Sequence, residues 1–260
     1  MRHLVWSALA VSGVLCAFSV LACAIQPPYA QRFAPEIMAL QDTHPKLFRM
    51  LEEASNELDA MADQDYTVPD AARRQAMADW HKKARPPEEA SYIVSTLFGA
   101  YAQDPPDWRV VHATLCVSLK GMPDLRVTTL AEGLVRSASE LPDEAMSAVS
   151  TALGILALSG REEDIELVKK ATSRAFVGLD AESETGFIGG PREFLCQGAL
   201  YVLFMYAPLE QAIDALEDVA KSYKRARPGF ESFMKGMAEG CLDQLKRVQK
   251  GEKVPLPRPS

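Results

Sequence analysis

Helical periodicity runs almost without a break through the chain beyond its amino-terminal segment, and no stretch alternates apolar and polar residues convincingly enough to be a strand. Leu209, Ala212, Ile213, Leu216, Val219, Ala220 and Tyr223 fall on one face of a helix. Phe230, Phe233, Met234, Met237, Cys241, Leu245 and Val248 form a second stripe of the same kind. Residues 194–207 are apolar apart from Gln197 and too short to cross a bilayer. They read as a central helix enclosed by others, the most buried element of an all-α fold.

The middle of the chain is punctuated. Pro87-Glu88, Pro106-Asp107, Pro123-Asp124 and Pro142-Asp143 each put a proline where its missing N–H costs nothing and an acid where a helix dipole favours it. The prolines are 19, 17 and 19 residues apart, and a further 19 reaches Arg161-Glu162, where Ser159 and Glu162 are expected to form a capping box. One helix per step gives a helical hairpin about every 38 residues, between the periods of tetratricopeptide and HEAT repeats. On this punctuation residues 86–220 resemble a HEAT-like α-solenoid. The resemblance implies stacked antiparallel hairpins with a concave face suited to gripping other proteins. A compact helical bundle has the same spacing and stays open as the alternative.

Arg2 and His3 make a short positive start, and residues 4–25 carry no charge, as export through a membrane requires. Val20-Leu21-Ala22-Cys23 resembles the bacterial lipobox. The resemblance implies that residues 1–22 are a signal peptide and that Cys23 is diacylglyceryl-modified and becomes the first residue. Two other outcomes stay open: cleavage at Ala22-Cys23-Ala24 that releases a soluble chain from Ile25, and an uncleaved anchor. Ala24 stands where an aspartate would resemble an inner-membrane retention signal, which favours the outer membrane. Residues 23–36, with Pro27, Pro28 and Pro35, read as an extended tether. An all-helical domain follows over residues 37–250, and residues 251–260, rich in proline, read as a flexible tail with Val254 onward extended and mobile.

With 28 Lys and Arg against 35 Asp and Glu the net charge is -7, which argues against a nucleic-acid partner. The charge is uneven: residues 221–260 hold ten bases and four acids, so an acidic body meets a basic end. That pattern fits recruitment of a cationic partner, contact of the basic end with anionic lipid, or simply a solvated surface.

Beyond Cys16 and Cys23, three cysteines remain. Cys116 lies in an apolar stretch and reads as a small buried hydrophobe, whereas Cys196 and Cys241 are the pair expected if a disulfide forms. No Cys and His spacing matches a zinc site, and no phosphate loop or hydrolase motif is present. No catalytic residue, cofactor or metal is therefore assigned. His44 and His81 read as surface or capping residues, and His112 as a core histidine satisfied by backbone. Trp108 reads first as core, although Trp80 and Trp108 are residue types that line sugar or peptide grooves. The acid pairs Glu52-Glu53, Glu88-Glu89 and Glu162-Glu163-Asp164 sit mostly in first helical turns, which the dipole already explains. The longest break, residues 179–191, carries Phe187 and Ile188, either an apolar tip for a partner or a plug that folds back on the core.

The expectation is a non-enzymatic binding protein of the cell envelope, in the periplasm and held by an N-terminal lipid anchor. Its helical surface would grip another envelope or secreted protein, as an inhibitor or immunity-type protein or as an accessory subunit. The alternatives are a hydrolase of an envelope polymer working through paired carboxylates, and a carrier of an apolar ligand with a cavity beside residues 194–207.

Overall fold

The structure is a computed structural model that describes residues 35–62, 67–121, 124–179, 190–223 and 229–256. Two short turns, α1 (Pro35–Met38) and α2 (Leu40–Thr43), lead into α3 (Pro45–Ala62), α4 (Ala71–Lys82), α5 (Pro87–Tyr101), α6 (Trp108–Ser118) and α7 (Leu125–Arg136). A 3-10 turn (Asp143–Ala145) enters α8 (Met146–Ser159), followed by α9 (Glu162–Ala171), α10 (Pro191–Tyr206), α11 (Leu209–Ser222) and α12 (Phe230–Gln249). The fold is all-α. Among the described residues β pairing is confined to one isolated bridge, between Thr67 and Pro255.

Consecutive helices pack in pairs, α5 on α6, α7 on α8 and α11 on α12. Other contacts join elements distant in the chain: α3 lies on α6, and α4 on both α8 and α10. The centre of the fold is α8, which touches α4, α6, α7, α9 and α10. From Ala148 to Leu158 every one of its residues is buried. This corrects the expectation that residues 194–207 are the most buried. Phe194 and Tyr201 of α10 are only half-buried, whereas α8 is buried on every side and includes small residues such as Ala148, Ala152, Gly154 and Ala157. Gly154, for example, leaves room for Leu119, whose methyl would lie 3.3 Å from a Cβ there.

Several helix starts work differently from the expectation. Pro87 does occupy the first turn of α5, but Asp107 and Asp124 are N-caps whose carboxylates accept from the backbone N–H groups of Arg109 and Val110, and of Arg126. The capping box expected of Ser159 and Glu162 is not made. Gly160, at φ +68°, ends α8 in the left-handed conformation and Arg161 becomes the N-cap of α9. The Ser159 hydroxyl instead accepts from Arg161 N at 3.1 Å and directs its one proton between two acceptors within reach, the Asp164 carboxylate and Leu156 O.

Helix ends are held by arginines from distant segments. Arg74 is fully buried and donates to Pro69 O (2.9 Å), Ala207 O (2.7 Å) and Phe204 O (2.5 Å), which closes the end of α10. Arg85 donates to Lys120 O and Val117 O at the end of α6. Arg192 donates to Ala138 O, Leu141 O and Val177 O, joining the start of α10 to the chain after α7 and after α9. Arg74 and Arg85 thus give donors to carbonyls at or just beyond helix C-termini, whereas Arg192 serves carbonyls of the connecting chain.

The segment after α12 departs from its expected mobility over residues 254–256. Val254 and Leu256 are buried, and Val68 N donates to Val254 O at 2.8 Å. Residues 257–260 lie outside the described part.

Candidate functional site

α7 and α9 pack side by side, and between them opens a depression of about 470 Å³ lined by Arg136, Glu162, Glu163, Glu166, Leu167 and Lys170. The sequence of α9 builds it. Ile165, Leu167, Val168 and Ala171 turn inward, which leaves Glu162, Glu163, Glu166 and Lys170 on the open face. Acids fill the first turn of α9 and Lys169 and Lys170 its last, so both ends agree with the helix dipole.

The edge of the depression is fixed by Arg161. Its guanidinium donates to Asp164 at 2.7 and 2.8 Å and to Glu132 of α7 at 2.6 Å, with Glu163 at 3.4 Å. Asp164 is 1% exposed, and the bonds to it raise the Arg161 pKa above its ordinary value, with Glu132 adding to the effect against the cost of burial. On the far side Lys169 bridges Glu166 (2.6 Å) and Asp218 of α11 (3.1 Å). Burial works against the Lys169 charge, but these two bonds outweigh it and its pKa rises. Arg136, Glu162 and Lys170 have no side-chain partner among the described residues. The face thus offers free charges of both signs over an apolar floor, Leu167. Such a rim steers and orients a charged partner more than it adds affinity.

The sequence-predicted residues are dispersed. Cys23, Phe187 and Ile188 lie outside the described residues. Cys196 and Cys241 are free thiols, so the expected pair is not formed. Burial raises the Cys196 pKa and pushes the Cys116 and Cys241 thiols up to about 12. Cys116 lies against Thr151 Oγ1 at 3.5 Å. His81 is buried rather than at the surface, with Nδ1 2.7 Å from Leu119 O, and burial lowers its pKa. His112 is a core residue as expected, yet among the described residues its Nε2 has no hydrogen-bond partner, and burial depresses its pKa to about 4. His44 is half-buried at the end of α2 beside Thr43. Trp108 packs on the core with Tyr101 edge-on at 6.1 Å, and Trp80 donates to Glu57 at 2.6 Å. Glu52 and Glu53 are exposed on α3, while Glu89 pairs with Arg85. Among the described residues no His, Cys, Asp and Glu cluster is placed to hold a metal, and no helix is long and apolar enough to cross a membrane.

The basic end is partly neutralised within the fold. Lys246 and Lys221 turn to Glu217, Lys235 to Glu239 and Arg247 to Glu252. The charged residues of the groove had a sequence signal, Glu162, Glu166 and Lys170 at i, i+4 and i+8, which marks one outer helix face. Arg136 and Glu132 had none, because their approach to α9 is tertiary. No family model matches the chain, and no curated protein or solved structure is detectably similar to it.

Proposed function

We propose that the chain is an exported, lipid-tethered binding protein of the cell envelope that presents the α7–α9 face to another protein. One observation carries this reading: an open, charged depression whose edge is locked by Arg161, Glu132 and Asp164 while Arg136, Glu162 and Lys170 stand free to pair outward. Fixed walls with free charges are a pre-organised surface, which lowers the ordering cost of association. The uncharged run before Cys23 supports export, and Cys23 with its preceding residues supports a lipid anchor at the outer membrane.

A photo-crosslinking residue placed at Glu166 in the full-length chain, expressed in its native envelope, tests the face. The expected result is one discrete adduct from position 166, absent when the crosslinker stands at Glu53 on α3, and lost in Glu162→Lys. Equal adducts from both positions, or none from 166, would overturn the reading. In the same cells, metabolic incorporation of an alkynyl fatty acid should label the protein and fail in Cys23→Ser.

A further inference from the structure

We propose that the outer face of α5 rests on the phospholipid surface to which the chain is tethered, which turns the α7–α9 face away from that surface; this rests on the lipid-tethered reading above. α5 packs on α6 at the edge of the fold, and from Ala90 to Tyr101 it carries no charged residue. Ser91, Ser95, Gly99 and Tyr101 are exposed on it, with Tyr92 and Phe98 half-buried beside them. Within α5 charge is confined to Glu88 and Glu89 in the first turn, and the next charged residue is Asp104. The outward faces of α3, α4, α9 and α11 all carry charge, as at Glu53, Asp79, Glu166 and Asp214.

The place where the chain enters the fold points to lipid as the occupant. Lys46 at the start of α3 lies over the Tyr92 ring of α5 at 4.4 Å, and α1 packs on α6, the helix that carries α5. The chain from Cys23 to Pro35 at the start of α1 spans about 40 Å at most, so the side where it enters is the side kept nearest the bilayer. Met38 of α1 and Tyr101 of α5 are large apolar side chains left open there, 38% and 37% exposed. Tyr101 sets its ring edge-on to Trp108, and tyrosine and tryptophan are residue types that settle where hydrocarbon meets water. An uncharged face meets headgroups without stripping water from an ion. A tether of this length holds the face at an effective concentration of about millimolar, so a contact too weak to collect free protein still sets orientation. Packing runs from α5 to α6, from α6 to α8, and from α8 to α7 and α9, which leaves the α7–α9 depression on the far side.

The chain is purified from its native envelope and reconstituted in vesicles of phosphatidylethanolamine and phosphatidylglycerol, with an environment-sensitive fluorophore on Ser95→Cys or, in a second sample, on Glu163→Cys at the α7–α9 face. Lipids with a nitroxide headgroup should quench the label at 95 at least about twofold more than the label at 163, and emission from 95 should move to the blue. Adding Gly99→Glu, where nothing lies within 4 Å of a new Cβ, should remove that difference while the protein still floats with the vesicles through Cys23. Flotation with equal quenching at 95 and 163 overturns the orientation and leaves the tether standing. A blue shift at 95 without lipid quenching, as a second copy or a partner helix on α5 would produce, also overturns it. A chain that carries no acyl group by intact mass and does not float overturns the tether and the orientation together.

Discussion

Arg74 Nη1 donates to the carbonyl of Ala207 at 2.7 Å, which holds a buried guanidinium against the end of a helix that begins more than a hundred residues later. Among the described residues no carboxylate bonds it, and its partners are Pro69 O, Phe204 O and Ala207 O. The negative end of the α10 dipole takes the place of a counter-ion. Burial lowers the Arg74 pKa to about 9, Arg73 pushes the same way and Asp70 opposes, so the group stays charged at neutral pH. Arg74→Met should destabilise the protein by about 3 kcal/mol, because three buried carbonyls lose their donors. Arg74→Lys should recover only part, since an ammonium cannot span all three. Urea midpoints at constant m-value measure both.

His112 predicts an acid-sensitive fold. Burial depresses its folded pKa to about 4 from the ordinary 6.5, and no partner among the described residues meets its Nε2. Between those values the unfolded chain binds a proton that the folded chain refuses. The stability that depends on neutral His112 is therefore complete above about pH 6.5 and falls as pH drops toward 4, by about 3 kcal/mol for a shift of this size. His81, lowered by burial in the same direction, adds to the trend. His112→Leu should flatten the profile in urea unfolding between pH 7.5 and 4.5, and an unchanged slope would refute the assignment.

Asp164 joins the end of α8 to the start of α9 through Ser159 and Arg161, and through Arg161 to Glu132. Asp164→Ala should cost about 2–3 kcal/mol, since the hydroxyl and guanidinium lose their acceptor inside the fold. Glu132→Ala, at the half-exposed end of the network, should cost no more than about 1 kcal/mol. Thermal unfolding of the two variants, with similar values for both, would show that burial does not divide the network in this way.

What the sequence made legible was helix content and much of helix facing. The stripe Ala212, Ile213, Leu216 and Val219 is buried as its spacing requires, because an isolated amphipathic helix carries that information locally. The identity of the central helix was not legible. Residues 146–158 and 194–207 are both apolar runs, and only tertiary packing decides that α8 is enclosed on every side while Phe194 and Tyr201 of α10 stay half-buried. His81 misled for a related reason: Lys82 and Lys83 beside it are exposed, and the helix turns the histidine inward to Leu119. The arginine clamps and the α7–α9 groove join residues from separate helices, so no local pattern encodes them.

Two glycines separate backbone need from mere presence. Gly121 has φ +61°, and a Cβ there would lie 2.4 Å from Lys83 O, so both conformation and space demand glycine. Gly133 sits in α7 at an exposed position with nothing within 4 Å of an added Cβ. Gly121→Ala should destabilise by about 2 kcal/mol or more, whereas Gly133→Ala should stabilise by about 0.5–1 kcal/mol through helix propensity. Differential scanning calorimetry of the pair should move the midpoint in opposite directions, and a shared direction would contradict the placement of Gly121 against Lys83.

Cys116, Cys196 and Cys241 are separate free thiols, each with a pKa raised by burial. A thiolate is the reactive form, so at pH 7.5 the folded protein should react slowly with a neutral alkylating agent, and these three should react together on unfolding in guanidinium. Intact mass after alkylation in denaturant without reductant is the direct measurement. Full labelling of all three thiols is expected. A mass two hydrogens lower with Cys116 alone modified would mean that Cys196 and Cys241 are joined. Cys241→Ala should then cost the few kcal/mol of a lost cross-link, rather than the roughly 1 kcal/mol of a half-buried side chain trimmed to a methyl.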